Sequence, residues 1–141
     1  MKRQDFILHK IMLAMFVMMA AGIGQAQYGT RATIPFDFAV GTQTFPAGVY
    51  KLVPSFAQTS LLRNEKRGLI YIRTNSVVSR EESSSARLIF HQYGGHYFLA
   101  QIWDKGSVVG QELPKSHAEI EMAKAQNSPG QQIALNLATH P

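Results

Sequence analysis

The sequence predicts an all-β, mainly antiparallel fold: a small β-sandwich or barrel with one short helix near the C-terminus, after an N-terminal signal peptide. Three observations predict it. Arg87 to Trp103, RLIFHQYGGHYFLAQIW, joins two apolar runs rich in aromatic residues through Gly94-Gly95, the composition of a tight two-residue hairpin. Ala32 to Val40 alternates apolar and polar residues with period 2, as a strand with one buried face does. Roughly seven to nine short segments of this kind, separated by turn residues, favour an antiparallel sandwich or small barrel.

The chain begins with MKRQDFILHK, which carries Lys2, Arg3 and Lys10, followed by the apolar run Ile11 to Gly24 and the small residues of Gly24-Gln25-Ala26. A basic start, an apolar core and a small-x-small end make a secretory signal peptide over residues 1–26. The apolar run is about 14 residues, short of the roughly 20 that a spanning helix needs. The mature chain, 27–141, is then one β-rich domain with no transmembrane segment, exported to the periplasm or beyond. Loss of Lys2, Arg3, Lys10 and Asp5 lowers the formal charge from +5 to +3. That mild excess lacks the dense basic stripe of a nucleic-acid footprint, and Arg63, Lys66, Arg67 and Arg73 read as a solvated rim around one turn. The chain has no cysteine, which excludes disulfides and a lipid-modified cysteine alike.

In order, Ile34, Phe36, Phe38 and Val40 point one way from the first strand, and Pro35 places it at an edge or a bulge. Gly41-Thr42-Gln43 and Pro46-Ala47-Gly48 are turns leading to the strand Val49 to Val53, ended by Pro54. Phe56 to Ser60 reads as loop. Leu61 to Asn64 and Leu69 to Thr74 flank the charged turn Glu65 to Gly68 as a second hairpin. Ser79 to Ser85, SREESSS, is a polar break and an exposed loop.

In the central hairpin, a turn at Gly94-Gly95 pairs Tyr93 with His96, His91 with Phe98 and Ile89 with Ala100 on one face. Leu88, Phe90, Tyr97, Leu99 and Trp103 take the other. With both faces rich in apolar residues, the hairpin is expected at the centre of a sheet, covered on both sides. Ser107 to Glu112 is a short strand after the Asp104-Lys105-Gly106 turn. Ser116-His117-Ala118-Glu119 matches a capping box, in which the Ser116 hydroxyl caps the Glu119 amide and the Glu119 carboxylate reaches back to the Ser116 amide. The helix it starts runs to about Gln126 with Ala118, Met122 and Ala125 on one side. Asn127 to Gly130 ends it, and Ile133 to Leu137 adds a last strand.

Ile34 to Phe38 (IPFDF) with Val40-Gly41, Pro46-Ala47-Gly48 and Tyr50, together with Phe90 to Trp103 and the segment Gly110 to Glu119, resembles a family of small exported bacterial β-proteins. The resemblance covers most of the mature chain. It implies export, β architecture and a domain complete in this chain, and it brings no assigned activity, catalytic residue or cofactor.

Candidate chemistry is sparse. His91 and His96 fall on one hairpin face, but diagonally, with no HExxH or comparable ligand spacing, so no metal site is assigned. No serine lies in a Gly-x-Ser-x-Gly turn, no cysteine nucleophile exists, and no phosphate-cradling loop is present. Asp37, inside an apolar strand, is expected to face outward. Tyr93, Tyr97, Phe98 and Trp103 are expected in the core rather than as a binding platform. The leading expectation is therefore a non-enzymatic exported domain without cofactor, acting through envelope or extracellular contacts. The alternative is a lipocalin-like carrier of a small apolar ligand, lined by Ile89, His91, Tyr93, His96, Phe98 and Ile102; an unrecognised hydrolase comes third. A carrier leaves that face open, whereas an interaction domain has it packed by the Ser116–Gln126 helix.

Overall fold

In the computed structural model, which describes residues 30–53, 59–64, 66 and 68–138, the alternating N-terminal stretch forms two strands rather than one. These are β1 (Thr30–Ile34) and β2 (Phe38–Val40), parted at Pro35. The alternation survives the break: Ala32, Ile34 and Phe38 are buried and Phe36 half-buried, while Arg31, Thr33, Pro35 and Asp37 face out. Pro35 has no amide to give a ladder, so the chain leaves one sheet there and enters another. The expected signal peptide at 1–26 and the turn residues Glu65 and Arg67 lie outside the described residues, as does most of the expected Phe56–Ser60 loop. Thr59 and Ser60, by contrast, are strand.

The first sheet is formed by β1, β4 (Gly48–Val53), β5 (Thr59–Asn64) and β6 (Gly68–Arg73), adjacent in that order and antiparallel throughout. The charged turn closes β5 onto β6 as the sequence predicts, with Asn64 paired to Gly68 and the Asn64 side chain accepting the Lys66 amide at 2.8 Å. The Pro46-Ala47-Gly48 turn is held from two sides. Asp37 faces outward, as expected, and its Oδ1 accepts the Ala47 amide at 2.8 Å; the Tyr50 hydroxyl donates to the Pro46 carbonyl at 2.6 Å.

The second sheet runs β11 (Gln131–Asn136), β8 (Arg87–Tyr93), β9 (His96–Trp103), β10 (Val109–Glu112) and β7 (Asn75–Val78), with β3 (Gln43–Phe45) and β2 attached beside β9. The central hairpin β8–β9 thus has a strand on each flank, as predicted. Strand β7 was not expected from the sequence. The SREESSS stretch that follows it is tied down: Ser83 is buried, its amide donates to the Ser107 carbonyl at 3.0 Å, and its carbonyl accepts from Gly106 at 2.7 Å.

The two sheets pack face to face without closing into a barrel, which resolves the expected sandwich or barrel in favour of the sandwich. Ala32, Ile34, Tyr50, Leu62 and Ile72 meet Leu88, Phe90, Leu99 and Ile102 across the core. Phe38 bridges the layers, in edge contact with Tyr50 (5.1 Å between ring centres) and Phe90 (5.6 Å). Such aromatic pairs add to the area that they bury, which is why the IPFDF segment anchors the sandwich.

The hairpin register departs from the predicted one at a single residue. Tyr93 pairs with His96 and His91 with Phe98, as expected. Beyond Phe90–Leu99, however, Ile89 pairs with Gln101 rather than Ala100, Leu88 with Ile102 and Arg87 with Trp103. Ala100 is the extra residue of a β-bulge, and one extra residue exchanges the two faces of everything beyond it. Ile102 therefore joins Leu88 and Leu99 in the core, and Trp103 takes the opposite face beside Arg87. The bulge also marks a fork. The Ala100 carbonyl accepts from the Leu113 amide at 2.8 Å, so β10 follows the far end of β9, while Ala39 of β2 pairs in parallel with Phe98 at the near end.

Candidate functional site

The face of β8–β9 turned away from the sandwich core carries all the residues singled out for ligand lining except Ile102, and here the helix lies. Helix α1 (His117–Gln126) starts at Ser116, whose Oγ accepts the Glu119 amide at 3.2 Å. It ends at Asn127 in the left-handed conformation, φ 48°, with Asn127 and Ser128 amides returned to Lys124 and Ala123 carbonyls, a Schellman arrangement. One half of the capping box is present. The other is not: Glu119 Oε1 turns to the sheet, 2.6 Å from His91 Nδ1 and 3.3 Å from the Tyr93 hydroxyl.

This contact re-aims the helix. Its fully buried residue is Glu119, flanked by half-buried Met122 and Ala123, whereas Ala118 and Ala125 are exposed, contrary to the expected Ala118–Met122–Ala125 side. The helix has little apolar surface to bury, so the charged group with the strongest partner on the sheet fixes its rotation. The Glu119 and His91 side chains are only 5% and 14% exposed. Toward the carboxylate form of Glu119, which only accepts, the His91 Nδ1 is the donor.

Tyr93 is the third member. It is fully buried, and its hydroxyl also lies 2.9 Å from the Pro129 carbonyl, which it can reach only because Gly130 leaves room. A Cβ on Gly130, whose φ is +84°, would stand 2.7 Å from the phenol ring. Burial pushes the Tyr93 phenol above its ordinary pKa, and the neighbouring Glu119 carboxylate adds to the rise by its charge and by accepting the hydrogen bond.

The six proposed lining residues are thus divided. His91 and Tyr93 meet the helix, and Phe98 packs edge-on against Tyr93 with ring centres 5.9 Å apart. Ile89 is half-buried on the same face. His96 shares that face by register but is exposed beside the turn, and Ile102 belongs to the core on the opposite side. Tyr97 is stacked on Phe36 at 3.8 Å, and Trp103 is buried with Nε1 donating to Gln101, so neither belongs to an open aromatic platform. His117 is exposed at the helix start, and His140 lies outside the described residues.

Chemically, the constellation is a carboxylate–imidazole–phenol cluster that fastens a helix to a sheet. Among the described residues His91 has no hydroxyl partner that it could activate as a base, and no group of three or more metal-ligating side chains occurs. Sequence reasoning placed Glu119 in the capping box and not in the site. An acid at the helix position continued by Met122 and Ala123, spaced three and four residues on, was the signal that could have found it. Comparison with protein-family models, curated proteins and solved structures returns no match to this chain.

Proposed function

We propose that the protein is an exported, non-enzymatic β-sandwich that acts in the cell envelope or outside the cell through contacts made by its surface. The observation that carries this reading is the docking of α1 by Glu119 onto His91 and Tyr93. A carrier of the lipocalin kind needs that face of the hairpin open. Here a helix covers it, and its anchoring polar atoms satisfy one another rather than pointing at a ligand. The basic-apolar leader with its Gly24-Gln25-Ala26 end supports export.

Native mass spectrometry of the protein, purified gently from its own host, tests the proposal. The expected result is a bare monomer or a defined oligomer with its leader removed after Ala26. A discrete small-molecule mass that survives desalting would overturn it in favour of the carrier. An uncleaved chain in the cytosol would overturn the export half alone.

A further inference from the structure

The outer face of the first sheet carries a row of like charge. Register pairs Arg31 of β1 with Lys51 of β4, and Lys51 with Arg63 of β5. Directly paired residues project from the same face of a sheet about 5 Å apart, so the three cations stand side by side across three strands. They alternate with the buried Ala32, Tyr50 and Leu62, which places them on the side away from the core. Arg73 of β6, next to buried Ile72, faces the same way. The four strands read TRATI, GVYKLV, TSLLRN and GLIYIR, with four basic residues and no acid. Among the described residues the ion pairs are His91–Glu119 and Lys124–Glu121, and none involves this row. Like charges directly opposed in a sheet repel one another. A row of three without an internal counter-charge is complementary to an anion supplied from outside.

The same face exposes Tyr71 (74%) and Val49 (52%) between and beside the charges. The surface is a sheet face rather than a groove, with cations, an aromatic ring and an aliphatic side chain presented together. A strand of polyanion is better gripped in a groove with stacking rings. A planar array of anionic headgroups meets all of these groups at once: the cations find phosphates, and Tyr71 finds the depth at the bilayer interface that tyrosine prefers. The geometry points to an anionic lipid surface as the partner of this face. The inference rests on the proposed surface-contact function and names the surface and the partner for it.

Vesicle sedimentation tests it, with wild type and an Arg31→Gln/Lys51→Gln/Arg63→Gln variant bearing the same N-terminus. Vesicles containing about a third phosphatidylglycerol should bind wild type strongly; neutral phosphatidylcholine vesicles, or about 0.5 M salt, should release it. The triple variant should lose roughly a hundredfold in partition onto the anionic vesicles. Because it removes mutually repelling charges from the outer face, two of them exposed and Lys51 half-buried, its melting temperature should equal or exceed that of wild type. Equal binding by variant and wild type would overturn the proposal, as would equal binding to neutral and anionic vesicles, or no binding. Capture by heparin without vesicle binding would overturn it in favour of a soluble polyanion. N-terminal sequencing of the cellular protein separates this result from the export reading: an uncleaved cytosolic chain would sink export and leave the vesicle result standing.

Discussion

Glu119 Oε1 lies 2.6 Å from His91 Nδ1, and this pair joins the helix to the middle of the second sheet. Both groups sit where water is largely excluded, so each depends on the other for the hydrogen bond that it gave up on folding. A buried pair of this kind adds little net stability compared with well-packed apolar residues, but losing one partner strands the other. Its effect here is specificity: it sets which side of a weakly apolar helix faces the sheet.

The first prediction follows from that asymmetry. Glu119→Ala should destabilise the fold by about 3 kcal/mol, because His91 loses its acceptor while Tyr93 keeps only the Pro129 carbonyl. His91→Phe combined with Glu119→Leu should recover most of that loss, since no buried polar group is then orphaned. Chemical denaturation of His91→Phe, Glu119→Leu and the pair closes the cycle. Additive losses would contradict a coupled pair.

Tyr93 gives a prediction with pH. Its folded-state pKa is raised above the ordinary value of 10.0. The unfolded chain therefore releases this proton first, and stability falls as pH rises. The contribution of the neutral phenol is fully present below about pH 10 and is lost as pH climbs through the raised value. Urea unfolding across the alkaline range should show this decline in wild type and a shallower one in Tyr93→Phe. At neutral pH the same variant should be less stable by about 1 kcal/mol for the lost bond to the Pro129 carbonyl.

The central turn separates its two glycines. Gly94 has φ +60°, whereas Gly95 is not among the positive-φ glycines, the pattern of a turn that demands glycine at its first position only. Gly94→Ala should cost about 1–2 kcal/mol from backbone conformation alone, since a Cβ there would meet only Gln126 Nε2 at an ordinary 3.6 Å. Gly95→Ala, with nothing within 4 Å, should melt close to wild type.

Gly110 is required for space. A Cβ there would stand 2.6 Å from the Trp103 ring. Gly110→Ala should push the indole outward, break its 3.0 Å bond to Gln101 and disturb its contact with Arg87, at a cost of about 1–3 kcal/mol. Trp103 is the chain's single tryptophan, so a red shift in intrinsic fluorescence should report the displacement directly.

Much of the fold is legible along the chain because it is set locally. Period-2 alternation gives the inward faces of β1 and β2, Gly68 and Gly94 close their hairpins, and Ser116 and Asn127 bound the helix. These features follow from sterics and hydrogen bonds within a few residues, which a sequence displays directly. The bulge at Ala100 does not, because nothing about an alanine marks it as the residue a ladder skips. There β9 must satisfy β8 on one side and both β10 and β2 on the other, and the skip exchanged the predicted places of Ile102 and Trp103.

The candidate site divides the same way. Its sheet half was visible, since His91, Tyr93 and Phe98 alternate on a strand whose pairing the turn fixes. Its helix half was hidden, because Glu119 satisfies a local capping rule and a distant histidine equally well. Most of the strands and turns, the Ser116 and Asn127 caps and the helix between them follow from choices made within a few residues; strand β7 does not. The passage between sheets at Pro35, the partner of Glu119 and the alignment of Arg31, Lys51 and Arg63 are set by long-range packing. Those depend on which strands become neighbours and in what register, and burial across two packed sheets sets both.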